Sequence, residues 1–209
     1  MNLTDASSRS DEKGNPAFSK TPGRLIVIAG PSGVGKGTLI NAVLPRLPGA
    51  LLATSATTRP MRPGEQQGRE YHFLSPGEFE ERVNKEEFLE HVSYGSHRYG
   101  TLKSEVDGHL KAGRQVLLEI EVEGARKVRR RVPGALMVFI APPSLEELER
   151  RLTGRDTEDE VEISSRMERA RKELAARPEF DYIVINQDVD QAADELERII
   201  RTNLQGGQT

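Results

Sequence analysis

Residues 25–38, LIVIAGPSGVGKGT, constrain the chain more than any other stretch. Leu25 to Ala29 is an unbroken apolar run, the pattern of a strand buried on both faces of a parallel sheet. It enters a glycine-rich turn, Gly30, Pro31, Ser32, Gly33, Val34 and Gly35, followed by Lys36, Gly37 and Thr38. Apolar residues at Leu39, Ile40, Val43, Leu44 and Leu47 then take up helical spacing, predicting a helix from Thr38 to Leu47 that stops at Pro48-Gly49. Strand, glycine turn and helix in that order make a cradle for an anion. Backbone N–H groups converge where no Cβ intervenes, and the helix dipole brings its positive end to the same place. Lys36 adds a point charge suited to a phosphate in transfer. The usual loop pattern GxxxxGK(S/T) sets a hydroxyl directly after the lysine, whereas this chain has Gly37 there and Thr38 one residue later.

The alternation continues. Gln115–Ile120, Leu136–Ile140 and Tyr182–Ile185 are further apolar runs, each followed by a helical pattern, which predicts an α/β fold with a mostly parallel sheet flanked by helices. Ser75, Ser144 and Thr157 each precede a glutamate by three residues and mark helix starts, the last opening a helix that runs to about Arg177. Between Ser55 and Lys103 short aromatic-bearing runs separated by Pro and Gly indicate an inserted, mixed α+β subdomain. The polar stretch Thr153–Glu160 reads as a mobile lid spanning about 152–166. Met1–Pro22 is polar and breaker-rich, the composition of a disordered tail. The expected layout is a tail over 1–22 and one domain over 23–209. That domain comprises a core from 23–54 and 104–209 and an insert over 55–103.

Thirty basic against 33 acidic side chains leave a formal net charge of −3, no basis for binding a polyanion, so neither nucleic acid nor membrane is expected as a partner. The absence of cysteine excludes disulfides and thiolate metal sites and is compatible with a reducing cytoplasm. The four histidines lack metal-ligand spacing, no apolar run reaches the ~20 residues of a membrane span, and no secretory signal is visible. A soluble, cytoplasmic protein is the expectation, with its oligomeric state open.

A second constellation lies in TSATTRPMRPGEQQGREY, residues 54–71, where Arg59 and Arg62 stand three apart between prolines and Tyr71 follows. Two guanidiniums so held make a clamp for a dianion, although this stretch alone reads equally as a solvated charged loop. With GPSGVGKGT and SATTRPMRPGE come GREYHF, FLEHVSYGSHRYGT, LLEIEVEGA, FIAPPS, RRLTGRDTE and VINQD, in order over residues 24 to about 200. In these motifs the chain resembles the guanylate kinase family. The resemblance implies a P-loop core with a monophosphate-binding subdomain and a lid, catalysing ATP + GMP ⇌ ADP + GDP with Mg2+.

By that resemblance Arg59, Arg62, Tyr71 and Tyr99 hold the GMP phosphate, and Ser55, Glu90 and Thr101 read the guanine. Guanine displays N1–H and N2–H₂ on one edge, and a carboxylate such as Glu90 accepts both, which adenine cannot offer. Thr101 reads equally as a helix cap for the segment from Lys103. Glu119 and Glu121 belong to the GMP side, and the family more often carries aspartates there and glutamine where Glu123 stands. Lys36, Arg59, Arg151, Arg155 and Arg166 are the catalytic, charge-neutralising set. Gly30 to Thr38 and Asn186 bind ATP, although Asn186-Gln187 stands where the family often has Asn-Asp. The resemblance gives the metal no direct protein ligand beyond Thr38; phosphate oxygens and waters would otherwise hold the magnesium. Two rivals are another nucleoside monophosphate kinase and a noncatalytic binding module of the same fold; the second has no need for Lys36 or the lid arginines.

Overall fold

A computed structural model describes residues 23–153 and 160–205. The expected tail, Thr157 as a helix start, Arg155 and much of the expected lid lie outside these. From the N-terminus the elements run β1 (Leu25–Ala29), α1 (Lys36–Val43), β2 (Ala50–Leu52), β3 (Ser55–Thr57), β4 (His72–Phe73), α2 (Pro76–Asn84), β5 (Phe88–Tyr94) and β6 (His97–Leu102). There follow α3 (Asp107–Lys111), β7 (Gln115–Glu119), α4 (Val122–Arg131), β8 (Leu136–Ala141), α5 (Leu145–Thr153), α6 (Glu160–Ala175), β9 (Tyr182–Ile185) and α7 (Val189–Gln205).

β1 is the centre of a five-stranded sheet ordered β2-β7-β1-β8-β9, in which every pairing is parallel. Its residues alternate between two cores. Ile26 and Ile28 pack with Leu39 and Ile40 of α1, Leu148 of α5 and Ile200 of α7, while Leu25, Val27 and Ala29 pack with Ala125 and Val128 of α4. All five β1 residues are buried, which is why the strand shows no polar position. Each of its Leu, Ile and Val side chains contributes about 1.5–3 kcal/mol on burial. The sheet's carboxyl edge, where β1 ends in the glycine turn and β7 ends in Glu119, is where ligands bind in open α/β sheets.

Local chemistry adjusts the sequence-based boundaries. The helix expected from Thr38 to Leu47 begins at Lys36 and gives way at Leu44 to a 3-10 turn, Leu44–Arg46. Pro45 has no N–H to donate to the preceding turn, so the α pattern stops there although the apolar spacing continues. Ser75 forms a complete reciprocal cap with Glu78. At Ser144 half of that arrangement exists: its hydroxyl accepts from the Glu147 N–H at 3.2 Å, while the Glu147 carboxylate turns to Arg150 and Arg151.

Residues 55–102 supply a second sheet, β4-β3-β6-β5, with β3 and β4 parallel and the other pairings antiparallel. Its own core is Ala56, Phe79, Phe88 and Leu102, with Phe79 and Phe88 stacked at 4.4 Å between ring centroids. Helix α4 fastens this sheet to the first. Lys127 donates to the His91 carbonyl, and Arg131 donates to the carbonyls of Phe88 and Leu89. Among the described residues no helix is long and apolar enough to cross a membrane.

Candidate nucleotide-binding site

The glycine turn folds as an anion cradle because three of its residues adopt backbone angles that side chains resist, Gly30 at φ 151°, Gly33 at φ 79° and Gly35 at φ 91°. Gly35 is doubly constrained, since a Cβ there would lie 2.6 Å from Nδ2 of Asn186. Lys36 opens α1 and is 9% exposed, with Nζ donating to the carbonyls of Gly30 at 2.8 Å and Pro31 at 3.2 Å. These two bonds hold the end of the Lys36 side chain at the loop.

Two residues expected on the ATP side stand behind the loop. Asn186, buried at the end of β9, donates from Nδ2 to the Val34 carbonyl at 2.8 Å. Arg151 donates to the same carbonyl at 3.3 Å and to the Asn186 carbonyl at 3.0 Å, and its Nε is held by Glu147 at 2.8 Å. The carbonyl of Val34 is therefore pinned from two elements remote in sequence. Arg166 lies on α6 and does not line the cavity described next.

In front of the loop is a cavity of about 660 Å³. Ser32, Gly33, Gly35, Lys36, Gly37 and Thr38 form one wall, Ser55, Tyr71, Glu90 and Tyr99 the opposite wall, and Glu119 and Glu121 the floor between them. Gly30, Pro31 and Val34 face away and contribute carbonyl groups to Lys36, Arg151 and Asn186. Thr101 sits one layer behind: fully buried in β6, its hydroxyl donates to Oε1 of Glu90 at 2.9 Å and caps no helix. Neither Arg59 nor Arg62 is among the lining residues: the Arg59 guanidinium stands 5.4 Å from the centre of the ring of Tyr71, which does line the cavity, and 5.6 Å from that of Phe73, and Arg62 is exposed.

The cavity is electrostatically unusual at its carboxylates. Glu90 is 2% exposed, and burial pushes it up to about 7, against the opposing pull of the Thr101 hydrogen bonds and the charges of Lys127 and Arg131. Its Oε2 is buried with no partner, against Gly124, where a Cβ would intrude to 2.7 Å. Glu119 is likewise raised by burial, with Lys36 drawing it down and Glu121 pushing it up. On α6, burial and the neighbouring Glu121 carboxylate raise Glu173, and these two side chains each hold a buried oxygen without a partner.

Among the described residues no three His, Cys, Asp or Glu side chains gather to hold a metal ion. A magnesium ion carried by a triphosphate would suit such a site, where Thr38 is a lining residue able to offer a hydroxyl and phosphate oxygens and waters would supply the other ligands.

Several participants were not singled out from the sequence. Gly124 gives room to the Glu90 carboxylate, and Lys127 and Arg131 fix the strand that carries it. Their signal was present in EGARKVRRR, where positions 127 and 131 share a helix face at i, i+4 spacing. Glu65, which binds Arg59, was hidden in a charged loop.

The family model for guanylate kinase matches residues 22–203. A guanylate kinase of Rubrobacter xylanophilus is 50% identical over 185 residues, covering 88% of this chain and 97% of its own. One of Thermobifida fusca is 50% identical over 184 residues, covering 88% and 94%. Among solved structures, a guanylate kinase from Anaplasma phagocytophilum aligns with a TM-score of 0.72 at 28% identity, covering 89% of this chain and 88% of the other. With a parallel sheet opening onto a phosphate loop and these relatives spanning nearly its whole described length, the chain belongs to the guanylate kinase family, a family of ATP:GMP phosphotransferases.

Proposed function

We propose that the protein transfers the γ-phosphoryl group of ATP directly to GMP, the triphosphate lying along the glycine loop and the monophosphate in the opposite wall. The observation that carries the guanine assignment is Glu90, a buried carboxylate among the residues lining the cavity, with one oxygen held by Thr101 and the other, beside Gly124, without a partner. Guanine N1–H and N2–H₂ supply the donors it lacks, and Ser55 lines the same wall. Tyr71 and Tyr99, together with Arg59 and Arg62, receive the GMP phosphate. Glu119 and Glu121 bound the space between the two nucleotides.

An oxygen of the GMP phosphate forms the new bond to Pγ while the bond from Pγ to the β,γ-bridging oxygen breaks, and ADP departs with that electron pair. Because such a transition state is loose, the protein's task is alignment and charge neutralisation rather than proton abstraction. The acceptor is already a nucleophilic oxyanion, its second ionisation lying near pH ~6. Lys36 neutralises charge at the loop, and Arg151 and Asn186 hold the loop's shape. Magnesium bound with ATP would supply further charge neutralisation at the phosphates.

The test is a set of specificity constants for GMP, IMP and AMP with ATP and magnesium. GMP should exceed AMP by about 10⁴-fold, since a site built to bind a donor rejects an analogue lacking it. IMP, which keeps N1–H but not the 2-amino group, should fall between them. Equal use of AMP and GMP overturns the guanine reading in favour of a broader monophosphate kinase, and absence of turnover favours a binding module.

A further inference from the structure

Arg59 has five N–H hydrogens, and the structure accounts for three. Nη1 donates to Oε2 of Glu65 at 3.0 Å and to the Pro60 carbonyl at 2.7 Å, and Nη2 donates to Oε1 of Glu65 at 2.7 Å. Glu65 therefore takes the end fork of the guanidinium bidentately, and Pro60 takes the outer hydrogen of Nη1. What remains is Nε–H and the outer hydrogen of Nη2, which together form the second, lateral fork. No partner for that fork occurs among the described residues. The plane is also fixed, because the guanidinium lies over Tyr71 and Phe73 at 5.4 and 5.6 Å. Tyr71 lines the cavity.

Glu65 is itself immobilised. Its Oε2 accepts the Arg62 backbone N–H at 2.7 Å, and its own N–H donates to the Arg62 carbonyl at 3.1 Å, closing a turn. The carboxylate side chain is 17% exposed and the guanidinium 11%, so both ends of the pair are largely withdrawn from water. A carboxylate and a phosphate compete for the same forks on arginine. Here the carboxylate occupies one fork completely and leaves the other complete, so an anion can bind without displacing it.

We propose that Glu65 is a positioning residue for phosphoryl transfer: it occupies the end fork of Arg59 so that the lateral fork is held ready for two oxygens of the acceptor phosphate. The inference rests on the function proposed above, in which Arg59 receives the GMP phosphate. It assigns no direct contact with substrate to Glu65. The opposing possibility is that Glu65 is an occupant that GMP must evict, and the third is that it only closes the turn at residues 62–65.

The experiment is steady-state kinetics of Glu65→Ala and Glu65→Gln, each alone and on an Arg59→Ala background, with melting temperatures measured alongside. Glu65→Gln keeps the size of the side chain and replaces one acceptor oxygen by an amide that faces the guanidinium with its own hydrogens, so it preserves the fold while breaking the bidentate pair. Positioning predicts a rise of about tenfold in KM for GMP in Glu65→Ala, a smaller rise in Glu65→Gln, and a KM for ATP within about twofold of wild type. On the Arg59→Ala background both changes should cost less than about twofold, because residues acting as one unit are not additive. A fall in KM for GMP would make Glu65 a competitor and overturn the proposal. A full additive loss on the Arg59→Ala background would reduce Glu65 to a turn closure and overturn it equally. Wild-type protein without GMP turnover would instead defeat the functional reading, independently of any Glu65 result.

Discussion

Thr101 stands directly opposite Glu90 across the antiparallel pairing of β5 and β6, and its hydroxyl donates to Oε1 at 2.9 Å. The cross-strand register thus fixes one carboxylate oxygen while Gly124 leaves room for the other, which has no partner. An unpaired buried carboxylate oxygen is costly to the empty protein, and a ligand that supplies N–H donors removes that cost.

Glu90→Gln should therefore trade selectivity for stability. In the folded chain Glu90 is raised to about 7, from the 4.5 of an unperturbed glutamate, so its charged form is disfavoured by folding. Its contribution to stability therefore falls as pH climbs from about 4.5 to about 7 and is level above that. The variant should gain about 1–3 kcal/mol relative to wild type at pH 8 and little at pH 4.5, measured by denaturant melts at the two pH values. Its advantage for GMP over AMP should narrow, chiefly by slower use of GMP. Unchanged substrate ratios would remove Glu90 from base reading, and a variant with the wild-type pH slope would show that its buried carboxyl does not carry this pH dependence.

For the phosphate loop, Lys36→Ala should lower kcat by about 10²-fold or more, since it removes the loop's cation at the transferring group. Gly37→Ser should not be required for turnover. A serine Cβ at 37 would sit 3.4 Å from a Glu119 carboxylate oxygen, a contact its neighbours can absorb. Turnover that appears only in Gly37→Ser would mean that the Lys-Gly-Thr order is defective.

Replacing Arg59 or Arg62 by alanine should weaken GMP by about 1.5–3 kcal/mol and leave ATP nearly untouched. Arg59→Ala should have the larger effect, because its guanidinium is pre-oriented by Glu65 and two aromatic rings whereas Arg62 is exposed. Calorimetric titration with each nucleotide separates the two substrates. Equal losses for ATP and GMP would place the pair elsewhere in the reaction.

Asn186 can be tested as a support of the loop against a reader of adenine. Asn186→Ala removes a buried hydrogen bond to Val34, worth about 0.5–1.5 kcal/mol, and should raise KM for ATP and GTP as phosphoryl donors by the same factor. A selective loss of ATP relative to GTP would instead assign the side chain to the base.

The core was legible because β1 is buried on both faces and so carries an unbroken apolar run, and because the anion cradle is a contiguous stretch from Gly30 to Thr38. Pro45 is visible too, yet the helical spacing continues past it at Leu47, so the apolar period predicts a longer α-helix than the one that forms. Contacts such as those of Arg151 and Asn186 with Val34 leave no local period, since 117 and 152 residues separate the partners. Glu65 was obscured for a different reason: in a loop rich in charges nothing in the spacing tells which carboxylate meets which guanidinium. Gly124, in turn, matters through what it omits, which only the position of Glu90 reveals.

The pinning of Val34 also orders events in time. The glycine loop is among the first parts of the folded region to be synthesised, but the two side chains that hold its Val34 carbonyl arrive with residues 151 and 186. A growing chain on the ribosome accordingly carries the phosphate-binding sequence long before it has the buttressed loop. The loop gains its last support only after β9 has emerged and added to the edge of the sheet, so a chain terminated before β9 would lack the Asn186 hydrogen bond to Val34.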